Sequence, residues 1–171
     1  MKNKPIILIG SGGHASVLYD ILKLNNRNIL GVVNPSLLKG STVFNELEVL
    51  GDDSTILDFK ASDVELVNGL GPSTKSKKRL NISLEYASLG YSFTSVIHPQ
   101  ATISKNTQIE EGVQIMAGVI IQFGANIGKF CVLNTGAIIE HDCLINDHVH
   151  IGPGAVLCGS VSLSDNVYIG A

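Results

Sequence analysis

Every sixth residue from Ile97 to Ile169 is isoleucine or leucine, thirteen positions in succession without an insertion. Four places after each of the first twelve stands a small or β-branched residue, running from Ala101 through Cys131 and Cys143 to Val167. An amphipathic helix repeats its apolar positions at three and four, so a strict period of six excludes one. The pattern predicts a β-solenoid, in which each repeat supplies one short strand and one corner and the stacked coils share an apolar interior. The residue three places after each aliphatic suits a corner: Asn106, Gly112, Gly118, Gly124, Gly136, Gly154 and Asn166 all tolerate a positive φ.

The texture changes near Phe93, which divides a first unit, residues 1–92, from a solenoid of residues 93–171. The first unit holds ten of the twelve Lys and Arg and nine of the fifteen acids, a net of +1, whereas the solenoid sets Lys105 and Lys129 against six acids, a net of −4. Neither balance suggests a nucleic acid or a membrane surface as partner. The apolar run that ends at Ile9 stops at a glycine cluster, too short for the core of a signal peptide, and no stretch reaches the length of a membrane span. A cytoplasmic address is expected. Cys131 and Cys143 take small inward positions of the repeat and Cys158 follows Leu157; lacking the paired spacing of a zinc site, all three are expected to be packing residues, and no metal is expected.

In the first unit, Pro5–Ile9 reads as a buried strand running into Gly10-Ser11-Gly12-Gly13-His14-Ala15 and then a helix carrying Val17, Leu18, Ile21 and Leu22. A glycine turn between strand and helix directs backbone N–H groups at an anion. Ile29–Val33 and Val64–Val67 are expected strands, Ser73–Ser88 a helix opened by Pro72 and Ser73, and Pro35–Leu57 a loop-rich connection with one short strand near Val49. The alternation implies a small parallel sheet, Rossmann-like in its first crossover. Gly10, Gly12 and Ala15 match the G-x-G-x-x-A fingerprint, but Asn34 stands where that fingerprint needs an acid for a ribose hydroxyl. A mononucleotide or a nucleotide-sugar diphosphate therefore suits the turn better than NAD. His14 inside the turn can donate to a sugar or phosphate oxygen, and the Lys75, Lys77, Lys78, Arg79 run reads as a solvated helix face.

Three stretches together carry a resemblance: Leu8-Ile9-Gly10-Ser11-Gly12-Gly13-His14, Val96-Ile97-His98-Pro99-Gln100-Ala101, and the run from Leu133 through Asn134 and His141 to Cys143. Over essentially its whole length the chain resembles the bacterial sugar O- and N-acetyltransferases of the hexapeptide-repeat superfamily, in particular the bacillosamine-pathway N-acetyltransferases and the group named for sialic acid O-acetylation. The resemblance implies a left-handed parallel β-helix, a homotrimer with its active site between subunits, acetyl-CoA as donor and a nucleotide-linked amino sugar as acceptor. It also implies acetyl-CoA contacts from Asn134, His150, Gly159 and Ala171, and acceptor contacts from Gly12, Gly13, His14, Asn34, Pro35 and Gly71. Asn34 and Pro35 replace an acidic pair of the similar enzymes.

Acetyl transfer from a thioester needs a neutral amine or hydroxyl to attack, a group to take its proton, and donors for the oxyanion. Histidine suits the proton-accepting task because it titrates near cellular pH. His141 is the chosen base, since two places past Ile139 it falls at a corner that turns polar side chains outward, and Asp142 follows to orient it; Glu140 is the lesser alternative. If three repeats close a coil, Gly159 stands one coil beyond His141, where its N–H can serve the oxyanion. His148 reads as a corner residue and His98, before Pro99, as a structural start of the solenoid.

The chain has two residues after Ile169, in mid-coil, and an uncapped solenoid exposes apolar interior and strand edges. Further coils are therefore expected, as in similar proteins, with an acetyl-CoA site that residues up to Ala171 leave incomplete. The expected function is acetyl-CoA-dependent N-acetylation of a deoxyamino sugar linked to UDP or a similar nucleotide, for surface glycan or glycoprotein. Two rivals stand beside it: O-acetylation of a sugar such as sialic acid, and a non-catalytic β-helix that binds a nucleotide sugar or acts as a scaffold.

Overall fold

The computed structural model describes residues 4–171, which form two compact units divided between Thr94 and Ser95. The first is built on a five-stranded sheet. Strand β1 (Ile6–Ile9) is buried along its whole length, as a central strand covered on both faces must be. It pairs in parallel with β2 (Ile29–Val33) on one side and β5 (Glu65–Asn68) on the other. β4 (Leu47–Gly51) adds to β2 in parallel, and the edge strand β3 (Thr42–Val43) runs antiparallel to β4, for an order β3-β4-β2-β1-β5. Helix α1 (Gly13–Leu24) covers the sheet with Ala15, Leu18, Ile21 and Leu22, and α2 (Lys78–Ser88) buries Ile82, Ser83 and Tyr86.

Several local expectations need correction. The sheet is mixed, because the stretch expected to be loop-rich contains a hairpin and a 3-10 helix, Asp53–Asp58, besides the strand through Val49. The hairpin turns on Phe44 and Asn45, at φ 49° and 70°, without the Asn-Gly pair that would have advertised it. The second helix starts at Lys78 and not at Ser73: the hydroxyls of Ser73 and Ser76 accept from the N–H groups of Lys75 and Lys78 (3.1 and 3.2 Å), local turns that compete with helix. Arg79 is not part of a solvated face. Its guanidinium donates to the carbonyls of Asn68 and Leu70 (2.8 and 2.7 Å), closing the exit of β5.

The second unit is the solenoid, a left-handed parallel β-helix. Its thirteen strands are each two residues long, and the second residue of each is the periodic aliphatic. Pairing joins Ile121 to Ile103 and to Ile139, so one coil takes eighteen residues and three repeats. The first face contains Val96–Ile97, Gln114–Ile115, Val132–Leu133, His150–Ile151 and Tyr168–Ile169. The second contains Thr102–Ile103, Ile120–Ile121, Ile138–Ile139 and Val156–Leu157, and the third the four strands from Gln108–Ile109 to Ser162–Leu163. Aliphatics from the strands and small residues from the corners, Ala125, Cys131, Ala137 and Cys143 among them, make one buried column. Removing that apolar surface from water is the main force holding the coils together.

Corners supply the other surprise. Positive φ occurs at Gly112, Gly118, Gly124, Gly136, Gly154 and Asn166, but also at Phe130, Asp142, His148 and Ser160, and not at Asn106. Asn106 lies in the first coil, where its N–H is held by the Ser104 hydroxyl at 3.3 Å. Phe130 and His148, one coil apart, stack with ring centroids 4.9 Å apart and planes 16° from parallel. Cys131 and Cys143 are fully buried, whereas Cys158 is exposed and is not a packing residue: one place past Leu157 the chain already turns outward. His98 accepts from the Gln100 N–H through Nδ1 at 3.0 Å, a local turn at the solenoid's start.

Candidate active site and glycine turn

The corner between the second and third faces holds a histidine–carboxylate pair. His141 and Asp142 are both exposed, and Nδ1 of the imidazole lies 3.0 Å from Oδ2 of the carboxylate. With Nδ1 engaged, a neutral ring keeps its proton there and presents Nε2 as an acceptor, the arrangement a general base requires. Asp142 takes φ 58°, a conformation aspartate tolerates better than most residues, and its N–H donates to the Phe123 carbonyl one coil away at 3.0 Å. Gly159 lies one coil beyond His141, so close that a methyl group on its Cα would stand 2.5 Å from Nε2.

The other residues singled out in the solenoid lie elsewhere. Asn134 and Ala171 belong to the corner between the first and second faces, where the Asn134 side chain accepts from the Thr135 N–H at 2.8 Å. His150 sits on the outer side of the first face, only 6% exposed, with Tyr168 against it at a centroid distance of 4.3 Å. Within one chain, then, the fold brings His141, Asp142 and Gly159 together and leaves Asn134, His150 and Ala171 on another edge of the prism. Among the described residues no group of three or more His, Cys, Asp or Glu side chains is placed to hold a metal ion.

In the first unit the candidate residues gather where β1 and β2 end and the chain leaves β5. The glycines there divide into two kinds. Gly10, at φ 87°, and Gly69 are required by packing, since a methyl group would meet Leu70 at 2.9 Å in one case and the Ile9 carbonyl at 2.7 Å in the other. Gly12 and Gly13 are exposed and a methyl group on either would meet nothing within 4 Å, so the protein's own packing does not explain them. They open α1, whose first turn has no acidic residue and whose cap, Gly12, contributes no side-chain hydrogen bond. The N–H groups of this first turn lie at the positive end of the helix dipole and suit an anionic ligand. Gly71 lies against this start, its Cα directed at the Cβ of His14.

Asn34 is tied into the turn. Its Nδ2 donates to the Ser11 hydroxyl at 2.6 Å and its Oδ1 accepts from the Ser36 N–H at 2.9 Å, while Pro35 is exposed. An acid at this place could accept from both partners and still offer lone pairs to a ribose; the amide spends one end on each. Ser11, which no sequence signal marked apart from its place in the turn, is thereby fixed with its oxygen accepting.

Comparison with known proteins finds a match in each unit. Residues 5–83 match the PglD N-terminal domain, and residues 124–159 match the bacterial transferase hexapeptide (six repeats). The two units of the chain are thus similar to the two domains of bacterial hexapeptide-repeat transferases. Among solved structures, a His-to-Ala variant of GDP-perosamine N-acetyltransferase from Caulobacter crescentus, in complex with CoA and GDP-perosamine, superposes with a TM-score of 0.87 at 28% identity, covering 97% of this chain and 77% of that one. The acetyltransferase domain of PglB from Neisseria gonorrhoeae FA1090, in complex with acetyl coenzyme A, gives 0.83 at 26% identity over 99% of this chain and 86% of that one. GDP-perosamine N-acetyltransferase of Escherichia coli O157:H7 is 36% identical over 77 residues, 45% of this chain and 35% of that protein. The match thus spans about a third of the curated relative's length.

The sequence signals that mattered for these sites were the two corner residues of the repeat and the glycine cluster. Gly124 went unremarked except as a corner glycine, because its contact is made with a residue eighteen positions on. Ser160, at the same corner one coil later, donates its N–H to the His141 carbonyl at 2.8 Å and holds the backbone under the dyad.

Proposed function

We propose that the protein transfers the acetyl group of acetyl-CoA to the amino group of a nucleotide-linked deoxyamino sugar destined for surface glycan or glycoprotein. The observation that carries this reading is the 3.0 Å pairing of His141 Nδ1 with Asp142, which leaves Nε2 as a proton acceptor beside a glycine backbone. The amine nitrogen attacks the thioester carbonyl and gives a proton to Nε2 of His141. A C–N bond forms as the C–S bond breaks, and the coenzyme thiolate leaves and takes up a proton. The Gly159 N–H is the candidate donor to the oxyanion. Crowding by a side chain at 159 would fill the space beside Nε2, so the site fits a thioester only because that residue is glycine.

The glycine turn is the acceptor end of this reading: Gly12, Gly13, His14, Ser11 with Asn34 and Pro35, and Gly71 would hold the diphosphate and the nucleoside. Relatives that were solved with GDP-perosamine support a nucleotide sugar as the class, with the base left to the contacts around Asn34 and Pro35. The donor end would take Asn134, His150 and Ala171 from another chain's prism edge, because within one chain they lie away from His141. A trimer of adjacent prisms meets that requirement and would cover the apolar outer column Ile120, Ile138 and Val156 beside the dyad.

The test is release of coenzyme A thiol on mixing the protein with acetyl-CoA and a panel of GDP-, UDP- and dTDP-linked amino sugars. Turnover with an amino sugar and none with its hydroxyl counterpart is the expected result. Acetylation of hydroxyl acceptors alone would support the sugar O-acetyltransferase reading, and nucleotide-sugar binding without any thiol release would support a non-catalytic module.

A further inference from the structure

Gly124 occupies the corner directly preceding Asp142 in the stack, one coil earlier. Its Cα faces the side chain of Asp142, and a methyl group placed there would overlap Oδ1 and lie 3.5 Å from Cγ. The other carboxylate oxygen, Oδ2, is the one that meets His141 Nδ1.

Backbone conformation alone does not explain this glycine. Gly124 is at φ 77°, but the same solenoid holds side-chain-bearing residues at positive-φ corners, Phe130, Asp142, His148, Ser160 and Asn166, all between 58° and 60°. Nor do the other corner glycines share its contact. A methyl group on Gly136 (φ 69°) or Gly154 (φ 68°) would meet nothing within 4 Å. Among these three glycine corners, only the one under the carboxylate would be filled by a side chain.

We propose that Gly124 is a positioning residue for the dyad: the missing side chain lets the Asp142 carboxylate settle over the corner in the rotamer that presents Oδ2 to the imidazole. A side chain at 124 would overlap only the far end of a flexible carboxylate, with the Asp142 Cα at an ordinary contact distance of 3.7 Å, so it would swing Asp142 away while the coil stays formed. The imidazole would then lose the contact that orients it and fixes its tautomer. This inference rests on the reading of His141 and Asp142 as the catalytic base pair.

The experiment compares Gly124→Ala with Gly136→Ala, which brings the same left-handed strain to a corner with open space. Gly124→Ala is expected to lower kcat about tenfold, a fraction of the ~10²–10⁴ that a positioned general base supplies, with KM for both substrates within about twofold. The variant should add nothing further in an Asp142→Asn background, because the two changes remove one contact. Gly136→Ala should keep native kcat. Gly124→Asn serves if the alanine variant folds poorly, because asparagine already stands at φ 60° at position 166. A native rate in the Gly124 variants, where Asp142→Asn is impaired, overturns the inference, as does a further loss when Gly124→Ala is added to Asp142→Asn, or an equal loss in the Gly124 and Gly136 variants. If His141→Ala and Asp142→Asn themselves keep native kcat, the base-pair reading fails instead.

Discussion

Gly159 stands under His141 with its Cα turned to the imidazole, at a distance that leaves no room for a β-carbon: one added there would sit 2.5 Å from Nε2. The relationship is made by the coil. Residues eighteen apart stack at the same corner, so a residue remote in sequence sets how much space Nε2 has. Gly159→Ala is therefore expected to displace the ring and lower kcat with little change in stability, read by steady-state kinetics beside thermal unfolding. A variant with native kcat would show that the ring tolerates the contact.

His141→Ala removes the proton acceptor and should lower kcat by ~10²–10⁴ while both substrates still bind. Asp142→Asn should do less harm, since the imidazole remains. Retention of rate by the alanine variant would remove His141 from the reaction.

The acceptor end is separable from the donor end. His14→Ala and Asn34→Ala should raise KM for the nucleotide sugar, the latter by roughly fivefold for the loss of a hydrogen bond worth about 1 kcal/mol. Affinity for acetyl-CoA should stay native in both. Calorimetric titration with each ligand checks this, and equal losses for the two ligands would assign the turn to folding.

Assembly is the fourth expectation. Light scattering should give the mass of three chains, and the apolar column Ile120, Ile138 and Val156 should tolerate charge poorly. Ile138→Glu should yield smaller species with little turnover. A fully active monomer would contradict an intersubunit site.

The cysteines allow a test of burial and of pH. Burial holds the Cys143 thiol above the usual thiol range, while Cys158 is exposed. One thiol of the native chain should react with a disulfide reagent, and three after denaturation. Because the folded-state value is raised, Cys143 contributes full stability below the unfolded thiol's pKa and loses it as pH rises through and above that value. Between neutral pH and pH ~10 the native chain should therefore lose more stability than Cys143→Ala, measured by denaturant unfolding.

How much of this was legible beforehand differs between the two units. In the solenoid, side chains alternate between core and solvent at fixed positions of a six-residue repeat. The period alone therefore placed every strand, the inward cysteines at 131 and 143, and His141 at an outward corner. In the first unit the strand, glycine turn and helix were visible, since each is a local signal. The β3–β4 hairpin was not, because Phe44 and Asn45 carry no strong turn chemistry and are held by the pairing of the strands they join. What only the tertiary structure decided were contacts between residues far apart in sequence: Gly124 with Asp142, Gly159 with His141, Asn34 with Ser11, Arg79 with the end of β5. Composition and spacing report which way a residue faces. The space left to a side chain is set by the neighbour that the fold stacks against it.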